Sequence, residues 1–186
     1  MSETRPTELL AWIDVETTGL NPPEDRLLQV AAIITDLDGN QISKPLDMVV
    51  RNPRRYSMYL ANEFVRDMHT RTGLWDRIED GAPSTVVDST LLTLLKTHAP
   101  EPRTIRVAGN SVRLDLNFMQ YFLPDSYAHV HYRSVDVSAI SYALGAWGVV
   151  TGEFQKRKTH NAIDDIHESI AQYRWLMKAA KEATNV

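Results

Sequence analysis

The stretch Leu9-Leu10-Ala11-Trp12-Ile13-Asp14-Val15-Glu16 constrains the fold of this chain more than any other. Its apolar run stops at Thr17-Thr18-Gly19-Leu20-Asn21-Pro22-Pro23, which must turn, so residues Leu9–Glu16 read as a buried strand. Side chains alternate along a strand, which puts Asp14 and Glu16 on one face. Two carboxylates side by side near the end of a buried strand repel each other unless a cation sits between them. Carboxylate oxygens are the ligands that Mg²⁺ and Mn²⁺ prefer. Taken alone, the same stretch fits equally well a strand fraying into a solvated polar turn.

The rest of the chain supplies a framework around that strand. Leu27–Thr35 is apolar and β-branched and reads as a central strand; Asp38-Gly39 then signals a hairpin, and Leu46–Val50 returns. These three runs predict an antiparallel meander. Pro53 breaks the third strand, and Leu60–Met68 reads as a short helix. Ser84-Thr85-Val86-Val87-Asp88 resembles a capping box with Asp in place of Glu, followed by Val87, Leu91, Leu94, Leu95 and His98 at helical spacing. A strand is expected over Thr104–Ala108, a turn at Gly109-Asn110-Ser111, and a helix over Leu114–Leu123 that stops before Pro124. Val130–Val135 reads as another strand, Asp136–Leu144 as a helix, 145–158 as a glycine-containing basic loop and 162–181 as the last helix. The pattern predicts an α/β fold, with a mixed sheet flanked by helices: a three-strand antiparallel meander plus strands alternating with helices. With 186 residues and neither repeat nor interdomain linker, a single domain over 1–186 is expected.

Composition narrows the function classes. The chain has no cysteine, which excludes disulfides and thiolate metal sites and fits a reducing compartment. No apolar run approaches a membrane span, and residues 1–8 lack the apolar core of a signal peptide, so a cytoplasmic location is expected. The formal net charge of −4 argues against a globally basic surface for long nucleic acid, and suits a small anionic substrate held by a few cations.

A second group of acids lies far from the first in sequence. Asp115 opens a helix after the Gly109-Asn110-Ser111 turn, where a lone acid usually serves the helix dipole. In His160-Asn161-Ala162-Ile163-Asp164-Asp165, the residues Ile163, Ile166, Ile170, Tyr173 and Met177 define a buried stripe. At about 100° per residue, Asp165 lies roughly 110° from that stripe and Asp164 roughly 150°. Asp165 is therefore placed beside a cleft and Asp164 nearer to solvent, under an Asn161 cap. His160 precedes the helix and meets Asp165 only if its loop folds back. Asp14, Glu16, Asp115 and Asp165 together would hold two Mg²⁺ ions, and a histidine titrating near neutrality takes a proton from an attacking water. The chemistry this predicts is metal-assisted phosphodiester hydrolysis.

Asp14-x-Glu16, a single Asp115, and His160 with four residues before Asp165 resemble the DEDDh exonucleases, and within them the oligoribonucleases most closely. The resemblance extends to Thr18-Gly19-Leu20-Asn21-Pro22, His69-Thr70-x-x-Gly73-Leu74, Gly109-Asn110-Ser111 and His131-Tyr132-Arg133-Ser134-Val135-Asp136-Val137-Ser138. It implies an RNase H-like fold and removal of nucleotides from 3′ ends with two divalent ions, Mg²⁺ or Mn²⁺. It implies Asp14, Glu16, Asp115 and Asp165 as metal ligands and His160 as general base. Leu20 and Phe64 would wedge or stack against bases, Phe64 standing where the family usually has Trp. His69, Asn110, Ser111, Arg133 and Ser138 would contact substrate, with a closed 5′ side that selects very short RNA. Tyr132 resembles a tyrosine lent across a homodimer. The sequence departs from the family at Val15, Thr17 and Arg113-Leu114-Asp115.

Three readings stand at this point: an exoribonuclease of short single-stranded RNA, an exonuclease trimming or proofreading longer RNA or DNA 3′ ends, and an inactive nucleic-acid-binding module on the same fold. Lys156-Arg157-Lys158 beside His160 reads as a solvated basic loop, with attraction of phosphates as the alternative.

Overall fold

The computed structural model describes residues 8–155 and 161–184. His160 and Lys156-Arg157-Lys158 lie outside the described residues.

β1 (Leu9–Thr17) is the middle strand of a five-stranded sheet of order β3-β2-β1-β4-β5. β2 (Leu27–Asp36) runs antiparallel to β1 with Asp14 opposite Ala31 and Glu16 opposite Gln29, and β3 (Leu46–Val49) runs antiparallel to β2. On the other edge of β1, β4 (Arg106–Gly109) and then β5 (Val135–Asp136) are parallel. The mixed sheet expected from the sequence is thus present: a meander on one side and strands separated by helices on the other.

Strand alternation divides the core into two layers. Ala11, Ile13 and Val15 join Val30, Ala32 and Ile34 against α3 (Ser84–His98) and α4 (Arg113–Phe122), through Val87, Leu91, Leu95, Phe118 and Met119. Leu10 and Trp12 join Ala31 and Ile33 against α7 (Ala162–Thr184), through Ile166, Ile170, Tyr173 and Leu176. α6 (Val137–Ala146) adds Val137 to this layer. A smaller cluster of Leu28, Ala61, Leu74, Trp75 and Ile78 seats α1 (Arg54–Leu60) and α2 (Glu63–Arg71). Because Asp14 and Glu16 have the parity of Leu10 and Trp12, they emerge on the α7 face. Trp12 ties β1 to β2 and α7 within this layer: it meets Tyr173 edge-on at 5.5 Å and its Nε1–H donates to Thr35 Oγ1 at 2.8 Å.

Four local expectations are corrected. The helix read at Leu60–Met68 is two helices, because Ala61 is extended and Asn62 accepts the Val65 N–H to start α2. Ser84 is the first helical residue rather than a cap, and Asp88 of the supposed capping box accepts N–H groups from Asp125 and Ser126 instead. Those bonds hold the start of α5 (Pro124–His129), a helix that the sequence reading lacked. The strand expected over Val130–Val135 shrinks to Val135–Asp136, since Arg133 N–H donates to His131 Nδ1 at 2.9 Å and turns the chain. Among the described residues no helix is long and apolar enough to cross a membrane.

Thr35→Val keeps the β-branched shape but leaves the fully buried Trp12 N–H without its acceptor. The expected cost is about 1–3 kcal/mol, read from the midpoint of urea unfolding at unchanged slope.

Candidate metal and nucleic-acid site

Asp14 and Glu16 meet Asp165 at the end of β1. Each offers a carboxylate oxygen, and these oxygens all lie within 4.8 Å of one another. α7 reaches the strand with its first turn. Asn161 starts that turn, its Oδ1 accepting from Ile163 N–H at 3.2 Å and its carbonyl from Asp165 N–H at 2.9 Å. The buried stripe of α7 runs through Ala162, Ile166, Ser169, Tyr173 and Leu176, with Ile163 and Met177 only partly buried. This stripe is rotated toward Asp165, which stands about 60° from its centre rather than roughly 110°. Asp164 is exposed, as expected.

Asp115 arrives from the opposite layer. Pairing of β1 with β4 ends at Trp12 opposite Ala108, so the backbone of β1 beyond that point is open on this edge. Val15 N–H, the amide between the two acids of β1, donates to Asp115 Oδ1 at 3.1 Å. A helix on one face and a strand acid pair on the other thus share one peptide unit.

The electrostatics follow from burial. Glu16 is 8% exposed, and loss of solvent, with the charges of Asp165 and Asp115 added, pushes its carboxyl up from 4.5 to about 8. Burial likewise pushes Asp115 up to about 7, against the opposing bond from Val15 N–H and with Asp136 adding to the rise. The charged forms of these acids are thus disfavoured without a counter-ion, and a divalent cation with oxygen preference would offset that penalty, so the donor set fits Mg²⁺ or Mn²⁺.

His69 is fully buried beside this group. Its Nε2 lies 2.9 Å from the Thr17 carbonyl, which can only accept, so Nε2 carries the proton. Nδ1 faces Glu16 Oε2 at 3.9 Å, and Trp75 packs edge-on at 5.1 Å. The structure therefore sets His69 behind Glu16.

Of the residues expected to contact substrate, the structure brings three together. Ser138 Oγ donates to Asn110 Oδ1 at 3.0 Å and lies 3.3 Å from Ser111 Oγ, while Asn110 Nδ2 donates to Ser169 Oγ at 2.8 Å. Arg133 and Tyr132 form a separate exposed pair, the guanidinium 5.3 Å from the ring centre and Tyr132 71% exposed. Leu20 and Phe64 are 69% and 64% exposed, so neither belongs to the core.

Two acids organise these residues without having been picked out from the sequence. Asp136 Oδ1 accepts from Ser111, Ser138 and Ala139 N–H groups, so one carboxylate caps α6 and holds the turn after β4. An Asp directly before a helical run, with Ser two residues on, was the available signal. Asp25 accepts from Thr18 Oγ1–H and Asn21 N–H and holds the loop that carries Leu20. A Cβ on Gly19 would overlap the Asp25 carboxylate, which is why glycine is needed there.

The family described as Exonuclease matches residues 11–173. The oligoribonuclease of Leifsonia xyli subsp. xyli is 35% identical over 176 residues, covering 94% of this chain and 84% of that protein. The oligoribonuclease of Streptomyces coelicolor is 34% identical over 172 residues, covering 91% and 86%. Among solved structures, E. coli exonuclease I in complex with a dT13 oligonucleotide superposes with a TM-score of 0.69 at 16% identity. That match covers 96% of this chain and 43% of exonuclease I, so the chain spans about two-fifths of that protein, and the likeness is one of fold. The chain belongs to the exonuclease family and, within it, to the oligoribonucleases.

Proposed function

We propose that this chain, a 3′→5′ exoribonuclease, hydrolyses short oligoribonucleotides down to dinucleotides and releases 5′-mononucleotides, with two divalent cations held by Asp14, Glu16, Asp115 and Asp165. The observation that carries the reading is the convergence of Asp14, Glu16 and Asp165 within 4.8 Å, with Asp115 fastened to the amide between the first two. The names of the relatives support short RNA as the substrate.

Bound Mg²⁺ or Mn²⁺ would lower the pKa of a water and steady the leaving oxygen. The protein's own part is to hold four carboxylates without relaxation, through a central strand and two helices. His69 sets the position of Glu16 from behind and fixes the Thr17 carbonyl. His160, five residues before Asp165, takes the proton of the attacking water. Leu20 and Phe64 separate or stack on the bases from their exposed positions. Asn110, Ser111 and Ser138 close the 5′ side together with Arg133, so a longer chain is excluded. Tyr132 is lent to the site of a second copy in a homodimer, consistent with its exposure next to Arg133.

The direct test is hydrolysis of a 5′-labelled RNA ladder, from dinucleotide to about twenty nucleotides, with Mg²⁺ or Mn²⁺. Fastest cleavage of the dinucleotide supports the proposal, and faster cleavage of long RNA or of a matched DNA ladder overturns it in favour of trimming. Asp14→Ala is expected to lower turnover by about a hundredfold or more, and activity within tenfold of wild type contradicts its role as a ligand. Tyr132→Ala is expected to cut turnover of the dinucleotide while leaving the thermal midpoint unchanged, because the ring is exposed. Full activity of a species that sediments as a monomer would dispose of the shared site.

Stability should report the acid cluster independently of turnover. The folded state keeps a proton on Glu16 up to about 8, whereas the unfolded chain releases it near 4.5. The folded state therefore binds more protons across this window, and stability falls as pH rises through it, levelling off above about 8. In chelator the thermal midpoint should fall between these pH values, and the fall should shrink in Glu16→Gln. Added Mn²⁺ should raise the midpoint most at the alkaline end, and a rise independent of pH would place the cation elsewhere.

A further inference from the structure

Ser169 is a polar residue in a buried row of α7. Ile166 and Tyr173, one turn to either side, are core residues, and Ser169 itself is 7% exposed. Serine helps a helix less than alanine does, and a buried hydroxyl is costly unless it is paired. Its partner is Asn110, whose Nδ2 donates to Ser169 Oγ at 2.8 Å.

The other end of the same amide serves the hydroxyls of the 5′ side. Asn110 Oδ1 accepts from Ser138 Oγ–H at 3.0 Å, and Ser138 Oγ lies 3.3 Å from Ser111 Oγ. The backbone of this turn is set by other means. A Cβ on Gly109 would stand 3.1 Å from Val112 Cγ1 and 3.5 Å from the Ile13 carbonyl, so the end of β4 fits closely against β1. Ser111 has a φ of 55° and gives its N–H to Asp136. The Asn110 side chain is what remains to be placed, and it is held between Ser138 on α6 and Ser169 on α7.

Ser169 follows Asp165 by four residues on α7, about 6 Å along the axis and roughly 40° around it. One turn of a packed helix and one amide therefore span from a carboxylate of the acid cluster to the Ser111–Ser138 hydroxyls. We propose that Ser169 is a positioning residue that sets the reach of the site. Through Asn110 it keeps these hydroxyls at a fixed distance from Asp165, and that distance selects the diribonucleotide over longer RNA. The inference rests on the reading above, in which these hydroxyls close the 5′ side. Without the Ser169 hydroxyl the Asn110 amide is free to turn, and the Ser138 hydroxyl loses its fixed partner. The diribonucleotide then loses the contact that seats its 5′ end, and a longer chain loses the obstacle that excludes it. Asp165 keeps its place, so the chemical step itself continues.

The test compares kcat and KM for a diribonucleotide and a hexaribonucleotide, with Mn²⁺, in wild type, Ser169→Ala and Ser169→Thr. The ratio of kcat/KM between the short and the long substrate should fall about tenfold or more in Ser169→Ala, chiefly through a higher KM for the diribonucleotide. Ser169→Thr keeps the hydroxyl and should restore most of the ratio. If Ser169→Ala does not fold, Ser169→Cys replaces it, since a thiol is a weak acceptor. A wild-type preference for the diribonucleotide that Ser169→Ala retains overturns this inference alone. An equal fall in kcat for both lengths also overturns it, by moving the role of Ser169 to Asp165. So does a Ser169→Thr variant as impaired as Ser169→Ala, which would assign the effect to packing. Absence of any preference in wild type removes the reading above, and this inference with it.

Discussion

Crowded carboxylates at the end of a buried strand are the constraint that the surrounding structure serves. Asp14 and Glu16 share a face of β1 and meet Asp165 within 4.8 Å, while Asp115 reaches the same strand from the other layer. The cost is visible in the Glu16 carboxyl, pushed by burial and by its neighbours to about 8. β1 bears this because it is the middle strand and is packed on both faces. Its backbone also contributes: the Val15 N–H that β4 leaves unpaired is given to Asp115. Asp165, in the first turn of α7, gains from the helix dipole as well. An acid cluster so supported stays in place before any cation arrives, which is what a preorganised site requires.

Polar side chains elsewhere in the fold do related work by joining segments far apart in sequence. His69 connects α2 to the Thr17 carbonyl and faces Glu16, so α2 is fastened to the end of β1. Asp136 gathers three N–H groups from the β4–α4 turn and the start of α6, and Asp88 gathers two from α5. His69 and Asp88 replace water that burial has excluded, and all three fix angles between elements that apolar packing alone would leave loose. Around the acids this matters most, because Ser111, Ser138 and Asn110 take their positions from Asp136 and from Ser169 on α7.

The likeness to known proteins separates fold from chemistry. Exonuclease I shares the architecture at 16% identity and is more than twice as long, so its arrangement of strands and helices tolerates wide change of sequence. The oligoribonucleases match over nearly the whole chain at about a third identity. The family therefore rests on sequence across all elements, and the acid cluster explains why the ends of β1, α4 and α7 must meet in one place.

Much of this was written in local pattern. The apolar run before Asp14 and Glu16, the hairpin at Asp38-Gly39 and the spacing of the last helix specify the meander, the shared face of the two acids and the approach of Asp165, because strand and helix periods are local properties of the chain. Other features have no periodic signature. That Asp115 bonds the Val15 amide a hundred residues away, that His69 lies behind Glu16, and that Asp136 ties Ser111 to Ser138 depends on which peptide groups the sheet leaves unpaired. The same holds for the break at Ala61-Asn62 and for Asp88, whose partners lie on α5 rather than in its own first turn. Side chains that satisfy distant backbone groups are chosen by three-dimensional proximity, and only the folded chain decides it.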